Sequence, residues 1–273
     1  MGFLLGLGRF FGESRFMGTF NDPNQMAHWI LWAVIIVLTA DYAYRGRLSW
    51  VSWLALLFGV LLLLASASRS GLLGFLAIVA GVVLFLVGGG VRLRWSLLQE
   101  AAILFAMIAA LTGGLLLGAA SEKVQAVRER VVEQVEFYVV RIYEGLSNFD
   151  KSSEERGYDR LWKFPEYLVL GAGEGANERW AEKTTFLGEI HSSLAGVLFY
   201  YGIPGMLLIF VILANIWASL PRFWLKVLLL APLLYSLGTY NLRNSMFWLG
   251  LAVMWTAGKL LQQVKVRNTR EVV

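Results

Sequence analysis

The chain contains no cysteine, so it has neither a disulfide framework nor a thiolate metal site. Charge is scarce: 16% of its 273 residues are charged, against about 25% in a soluble domain. Histidine occurs only twice, at His28 and His191. No Walker sequence appears, so nothing points to an ATPase. No Asp-x-Asp pair appears, which argues against a metal-held nucleotide-sugar donor. No line of carboxylates crosses the apolar runs as a proton relay requires. The net charge of +5 is scattered between apolar runs and is no nucleic-acid footprint. What the chain has in abundance is apolar sequence: 58% of residues are hydrophobic and the mean hydropathy is +0.61.

A membrane-spanning helix needs about 20 mostly apolar residues. Runs of that kind lie at 26–44, 50–66, 70–90, 98–118, 193–218, 224–237 and 245–258, the last two being short. This predicts an all-α polytopic membrane protein of about seven transmembrane helices with one large extracytoplasmic helical loop. Residues 1–25 form an N-terminal segment on the outer face, and 26–118 hold four spans. Residues 119–192 are the loop, 193–258 hold three spans, and 259–273 are a basic cytoplasmic tail. The loop carries 14 of the 19 acidic residues and is too charged to span.

Basic residues in short loops mark the cytoplasmic side. Arg45 and Arg47, Arg92 and Arg94, Arg222 and Lys226, then Lys259, Lys265, Arg267 and Arg270 all fall on one side of a seven-span chain. The long loop and the N-terminus then face outward. Asp41 and Glu100 border predicted helices beside arginines and read as interfacial pairs. Four basic residues run against the rule: Arg9, Arg15, Arg69 and Arg243. Each is either a ligand site or an interfacial side chain snorkelling to headgroups. The segment 1–12 is too short to span and lacks the basic flank of a signal peptide. A chain starting outside without a leader predicts missing upstream spans, with ordinary outside-first insertion as the alternative.

Within the loop, apolar residues at Val124, Val127, Val131, Val135, Tyr138, Val139 and Ile142 predict an amphipathic helix. Residues 156–170 read as helical, interrupted at Pro165. Gly171, Gly173 and Gly175 require a turn; no βαβ unit surrounds them, so this is no dinucleotide fingerprint. Pro204 is expected to break the fifth span and let Gly202 and Gly205 pack closely. Asn21, Pro23 and Asn24 are expected to form the turn that starts the first span. His28, beside Trp29, reads as interfacial. His191, taken alone, is more readily a capping or interfacial histidine than a base.

The stretch Ser14-Arg15-Phe16-Met17-Gly18-Thr19-Phe20-Asn21-Asp22-Pro23-Asn24-Gln25 resembles the Arg-x-x-Gly-Thr-Phe-x-x-Pro-Asn signature of the O-antigen ligase and O-antigen polymerase superfamily. Ser68-Arg69-Ser70-Gly71 is similar to that family's next outward turn. The long loop, its glycine turn and His191-Ser192 followed, after nine intervening residues, by Gly202 also match in order. The chain looks like the C-terminal portion of such a protein, since family members have several more spans before the Gly-Thr-Phe stretch.

The resemblance implies a GT-C-like fold and an inverting, metal-independent glycosyltransferase of surface-polysaccharide biosynthesis with no cofactor. The donor would be a glycan on polyprenyl (undecaprenyl) pyrophosphate, and the acceptor a sugar hydroxyl on another glycan or on lipid A-core. Its partners would include the inner membrane and other polysaccharide-assembly proteins. Displacing a pyrophosphate needs its charge held, which guanidinium groups do well. Arg69 and Arg15 at the boundary, with Arg156 and Arg160 from the loop, are the candidates for substrate binding. The attacking hydroxyl needs a base, and His191, near a helix N-terminus that favours the neutral imidazole, is the candidate. The readings from other classes are a non-catalytic membrane subunit or transporter that binds lipid-linked glycan, and an inactive remnant.

Overall fold

Asp22 starts the first helix. Its extended backbone and its carboxylate, which accepts from the amides of Asn24 (2.7 Å) and Gln25 (3.3 Å), cap a helix whose first residue is a proline. The computed structural model describes residues 8–11, 15–88, 136, 140, 156–184 and 186–270, the last six as backbone. Helix α1 runs over Pro23–Arg45 and stops at Gly46, which takes the left-handed conformation and donates to Tyr42 O. Asp41 then serves twice. It pairs with Arg45 at 3.0 Å, as expected, and it accepts from the Ser49 amide and the Ser52 hydroxyl at 2.6 Å each. One carboxylate thus closes α1 and holds the start of α2, Trp50–Ser66.

A tight turn follows at Ala67 and Ser68. The Ser68 hydroxyl accepts from the Gly71 amide and so caps α3, Arg69–Gly88. Three short pieces come from the loop: α4 (Arg160–Lys163), α5 (Tyr167–Leu170) and a 3-10 turn (Asn177–Trp180). Pro165 separates α4 from α5, as expected. Helix α6 spans Ser193–Ser219, α7 spans Phe223–Ser236 and α8 spans Ser245–Arg270. The predicted span at 98–118, the predicted loop helix from Val124 to Ile142, and Glu100 lie outside the described residues.

Helix α1 lies between α2 and α8, while α3 packs along α7. That pairing is close because α3 presents glycines to it. A Cβ on Gly74 would meet Ala231 O at 2.8 Å, and one on Gly81 would meet Leu228 Cδ2 at 2.8 Å. Small residues that let backbones approach are how helices associate where lipid removes the hydrophobic drive. Leu31, Trp32, Ile35, Leu38, Leu225, Leu228 and Tyr235 are buried between the helices. The outer faces stay apolar, with Leu76 on α3 and Leu207 and Leu208 on α6 exposed. Helices α1, α3 and α6 are long and apolar enough to cross a membrane, and α2 and α7 are shorter apolar helices.

Two features lie beyond the sequence expectations. The fold is mostly helical, but Arg9–Phe11 (β1) and Arg15–Gly18 (β2) pair as a two-stranded antiparallel sheet, with Phe10 opposite Phe16. His28, expected beside Trp29 at the interface, turns its side chain into the bundle: it is 1% exposed, between Tyr235 and Phe247, and its Nε2 accepts from Trp32 Nε1 at 3.1 Å. Hydropathy locates a residue in depth but not around the helix, and His28 faces the bundle.

The break in α6 sits where Gly202 and Pro204 predict it. Gly202 adopts φ 64°, ψ −161°, a conformation only glycine holds without strain. Pro204 has no amide proton to give Tyr200 O. The orphaned carbonyls find donors in the glycine turn: the Ala172 amide reaches Phe199 O at 2.8 Å and the Gly173 amide reaches Tyr200 O at 2.9 Å. A Cβ on Gly202 would lie 2.5 Å from Val169 O, and one on Gly171 would lie 2.5 Å from Tyr200 O. The turn at 171–175 is therefore sewn into the helix break.

Candidate functional site

His191 sits at the end of the bundle where α1, α3, α6 and α8 begin. Its turn is clamped through the backbone. Its amide donates to Arg156 O at 2.9 Å, and the Tyr158 hydroxyl lies 2.9 Å from His191 O and 3.0 Å from Leu237 O. Phe186 meets the imidazole edge-to-face with ring centroids 5.2 Å apart. Ser192 takes an extended backbone and caps α6 by accepting from the Ala195 amide at 3.4 Å. The capping duty belongs to the serine and leaves the histidine side chain out of it. Among the described residues, neither ring nitrogen of His191 has a hydrogen-bond partner, and the side chain is exposed at the surface.

Partial burial lowers the His191 pKa first, and the Arg156 guanidinium lowers it further, with Asp22 opposing. The imidazole is therefore held neutral at neutral pH, which is the form a base needs.

Arg156 approaches the same place. Its Nη1 is 3.9 Å from where a Cβ on Gly238 would stand, and Ser70 Oγ is 2.5 Å from that same point. Among the described residues its guanidinium makes no ion pair or hydrogen bond. Arg69 opens α3 directly before Ser70 and is half-buried. His191, Arg156, Ser70 and the turn after α7 thus converge on one small region.

The other two arginines are engaged elsewhere. Arg15 is 6% exposed; its Nε donates to Ser66 O at 3.1 Å and its Nη2 to Asn24 Oδ1 at 3.0 Å. Asn24 Oδ1 also accepts from Ser68 Oγ at 3.1 Å, and Asn24 O accepts from the Tyr235 hydroxyl at 2.6 Å. Arg15 therefore ties the Gly-Thr-Phe stretch to the end of α2 and the start of α1.

Arg160 is fully buried. Its Nη2 donates to Phe186 O (2.6 Å) and Gly188 O (2.7 Å), and its Nη1 to Tyr200 Oη (3.2 Å) and Asn177 Oδ1 (3.4 Å). This is a brace holding residues 186–188, which lead into His191, against α6. In this arrangement both terminal nitrogens of its guanidinium donate to protein acceptors, while the buried Nε has none among the described residues.

Arg243 pairs with Glu174 at 2.9 Å and also with Glu189. The Tyr240 hydroxyl donates to Glu174 as well. Despite partial burial, the hydrogen bonds from Tyr240, Tyr201 and Arg243 hold the Glu174 carboxyl below its usual range. Burial first, then the hydrogen bond to Glu174, pushes the Tyr240 hydroxyl far above its ordinary value. Sequence reasoning noticed Arg243 only as a misplaced charge and missed these partners. The signal was available as one acid within the glycine turn, Glu174, and one just before His191, Glu189.

A second small core, made of Phe164, Trp180, Ile190, Phe199 and Tyr200, holds the loop on α6 beneath His191. Compared with known proteins, the chain matches no protein-family model and no curated protein.

Proposed function

We infer that the protein is a membrane glycosyltransferase of surface-polysaccharide assembly, an O-antigen or exopolysaccharide polymerase or ligase. It moves a glycan from a polyprenyl-pyrophosphate donor to a sugar hydroxyl. The observation that carries this reading is a neutral His191 close to Arg156 at one end of a bundle of apolar helices, neither side chain bonded to another described residue. A base and a fixed cation side by side at a membrane surface suit a reaction whose donor is an anionic lipid. In this reading seven spans cross the cytoplasmic membrane, the C-terminus lies inside and the site faces out.

His191 takes the proton from the acceptor hydroxyl as that oxygen attacks the anomeric carbon. The new glycosidic C–O bond forms on the face opposite the leaving group, so the configuration inverts. The old bond from the anomeric carbon to pyrophosphate breaks, and the pyrophosphate oxygen keeps the electron pair. Arg156, with Arg69 at the start of α3 as the second candidate, holds the charge that develops there. Arg15 and Arg160 serve by bracing the elements that carry the site.

The test is transfer from lipid-linked oligosaccharide by the purified chain in bilayer discs. His191→Ala is expected to fold and insert normally and to lose about 10²–10⁴-fold in rate. Undiminished transfer by that variant would overturn the assignment of the base. Binding of the lipid-linked glycan without transfer by the unaltered chain would overturn the enzyme reading.

A further inference from the structure

The segment around α5 carries apolar side chains that no part of the described protein covers. Trp162 is 59% exposed, Val169 57% and Leu170 80%. They belong to the loop, which by charge is the polar part of the chain. Yet their backbone lies deep along α6: Val169 O and the Leu170 carbonyl carbon come within 2.7 Å of where a Cβ on Gly202 would stand.

The length of α6 fixes that depth. From Gly202 to Ser219 the helix measures about 27 Å at about 1.5 Å per residue. A hydrocarbon layer is about 30 Å thick. With Ser219, three residues before Arg222, at the far edge of that layer, Gly202 lies at or just inside the near edge. Tilt of the helix only carries it deeper. Val169 and Leu170 lie at the same level, and the next residues down α6 include exposed apolar side chains at Ile203, Leu207 and Leu208.

The backbone of the segment is built for that setting. The Gly171, Ala172 and Gly173 amides donate to Tyr167 O, Phe199 O and Tyr200 O at 2.8, 2.8 and 2.9 Å. The carbonyls of Ala172 and Gly173 accept from Arg179 Nη2 at 2.7 and 2.9 Å. Irregular backbone at membrane depth needs such internal partners, because lipid offers none.

We propose that α5 and its flanks form a wedge half-inserted in the leaflet on the His191 side, with Val169 and Leu170 against acyl chains and Trp162 at headgroup level. The partner is the bilayer itself. The proposal needs only that α6 spans a membrane; it is independent of the glycosyltransferase reading and of which side the site faces.

Because the chain lacks cysteine, single-cysteine variants report cleanly. Bimane on Leu170→Cys and, separately, on Val169→Cys is read in phosphatidylcholine vesicles. Leu208→Cys serves as the lipid reference and Glu182→Cys as the aqueous one. Dibrominated acyl chains are expected to quench the probes at 169 and 170 as they quench the probe at 208. Aqueous iodide is expected to quench only the probe at 182. Iodide quenching at 169 and 170 would overturn the proposal. So would quenching by neither agent, which would mean that protein covers the patch.

Discussion

His191 titrates between two opposite charges, so its neighbours make a signed prediction. Its folded pKa lies below the unfolded value of about 6.5. Transfer by a neutral base is then flat through pH 7 and falls only as pH drops through the depressed folded value. Arg156→Met removes a like charge and should move that acid limb to higher pH. Asp22→Asn removes an opposing charge while keeping a good helix cap, and should move the limb to lower pH. Limbs that stay put in both variants, in rate profiles taken from pH 4 to 8, would sever His191 from these two residues. The same depression links to stability: the unfolded chain binds the proton first, so stability contributed by neutral His191 declines as pH falls from about 6.5 toward the folded pKa. Arg160 makes the complementary case. Arg160→Met leaves the carbonyls of Phe186 and Gly188 without their charged donor. Losing a hydrogen bond to a charged group costs about 1.5–3 kcal/mol. Protease should then cut the loop between 156 and 190 faster, while α6 and α7 stay intact. An unchanged cleavage rate would end the bracing role.

At the level of elements, the join between the glycine turn and the break in α6 decides how the loop sits. Gly202 and Pro204 both contribute, but unequally. A side chain at Gly202 faces strained dihedrals and three backbone atoms within 2.7 Å, none of which is a flexible end that can swing away. Gly202→Ala should therefore expel the segment from Val169 to Gly173. Pro204→Ala merely returns an amide that competes for Tyr200 O, and the dihedrals of Gly202 keep the break open. Amide exchange at Ala172 and Gly173 should rise sharply in the first variant and little in the second. Equal exchange in both would mean the proline sets the break. The break itself is legible in Gly-Ile-Pro-Gly, and the turn is legible in its glycines. Their union is not, because it depends on which carbonyls a distant kink leaves without donors. The same limit hid the roles of Arg15 and Arg160. An arginine reads alike whether its guanidinium meets a ligand or a ring of backbone carbonyls.

For the whole molecule, hydropathy located six of the apolar segments to within a few residues, except at the C-terminal end of α8, which runs on to Arg270. Apolar length is a direct demand of the bilayer and survives any tertiary arrangement. Rotation of each helix about its axis is not such a demand, which is why hydropathy does not show that the His28 side chain faces the bundle. Orientation rests on the basic loops, and Arg243 had been an exception to them. In the structure Arg243 is tied to the loop instead, pairing with Glu174 and Glu189. The proposed orientation puts the basic ends in the cytoplasm and the His191 end outside. Arg47→Cys and Glu182→Cys, both at exposed positions in a cysteine-free chain, test this directly. In intact cells a membrane-impermeant maleimide should label Glu182→Cys at once and Arg47→Cys only after permeabilisation. The reverse pattern would turn the molecule over, place His191 in the cytoplasm, and remove the exported lipid-linked donor from its reach.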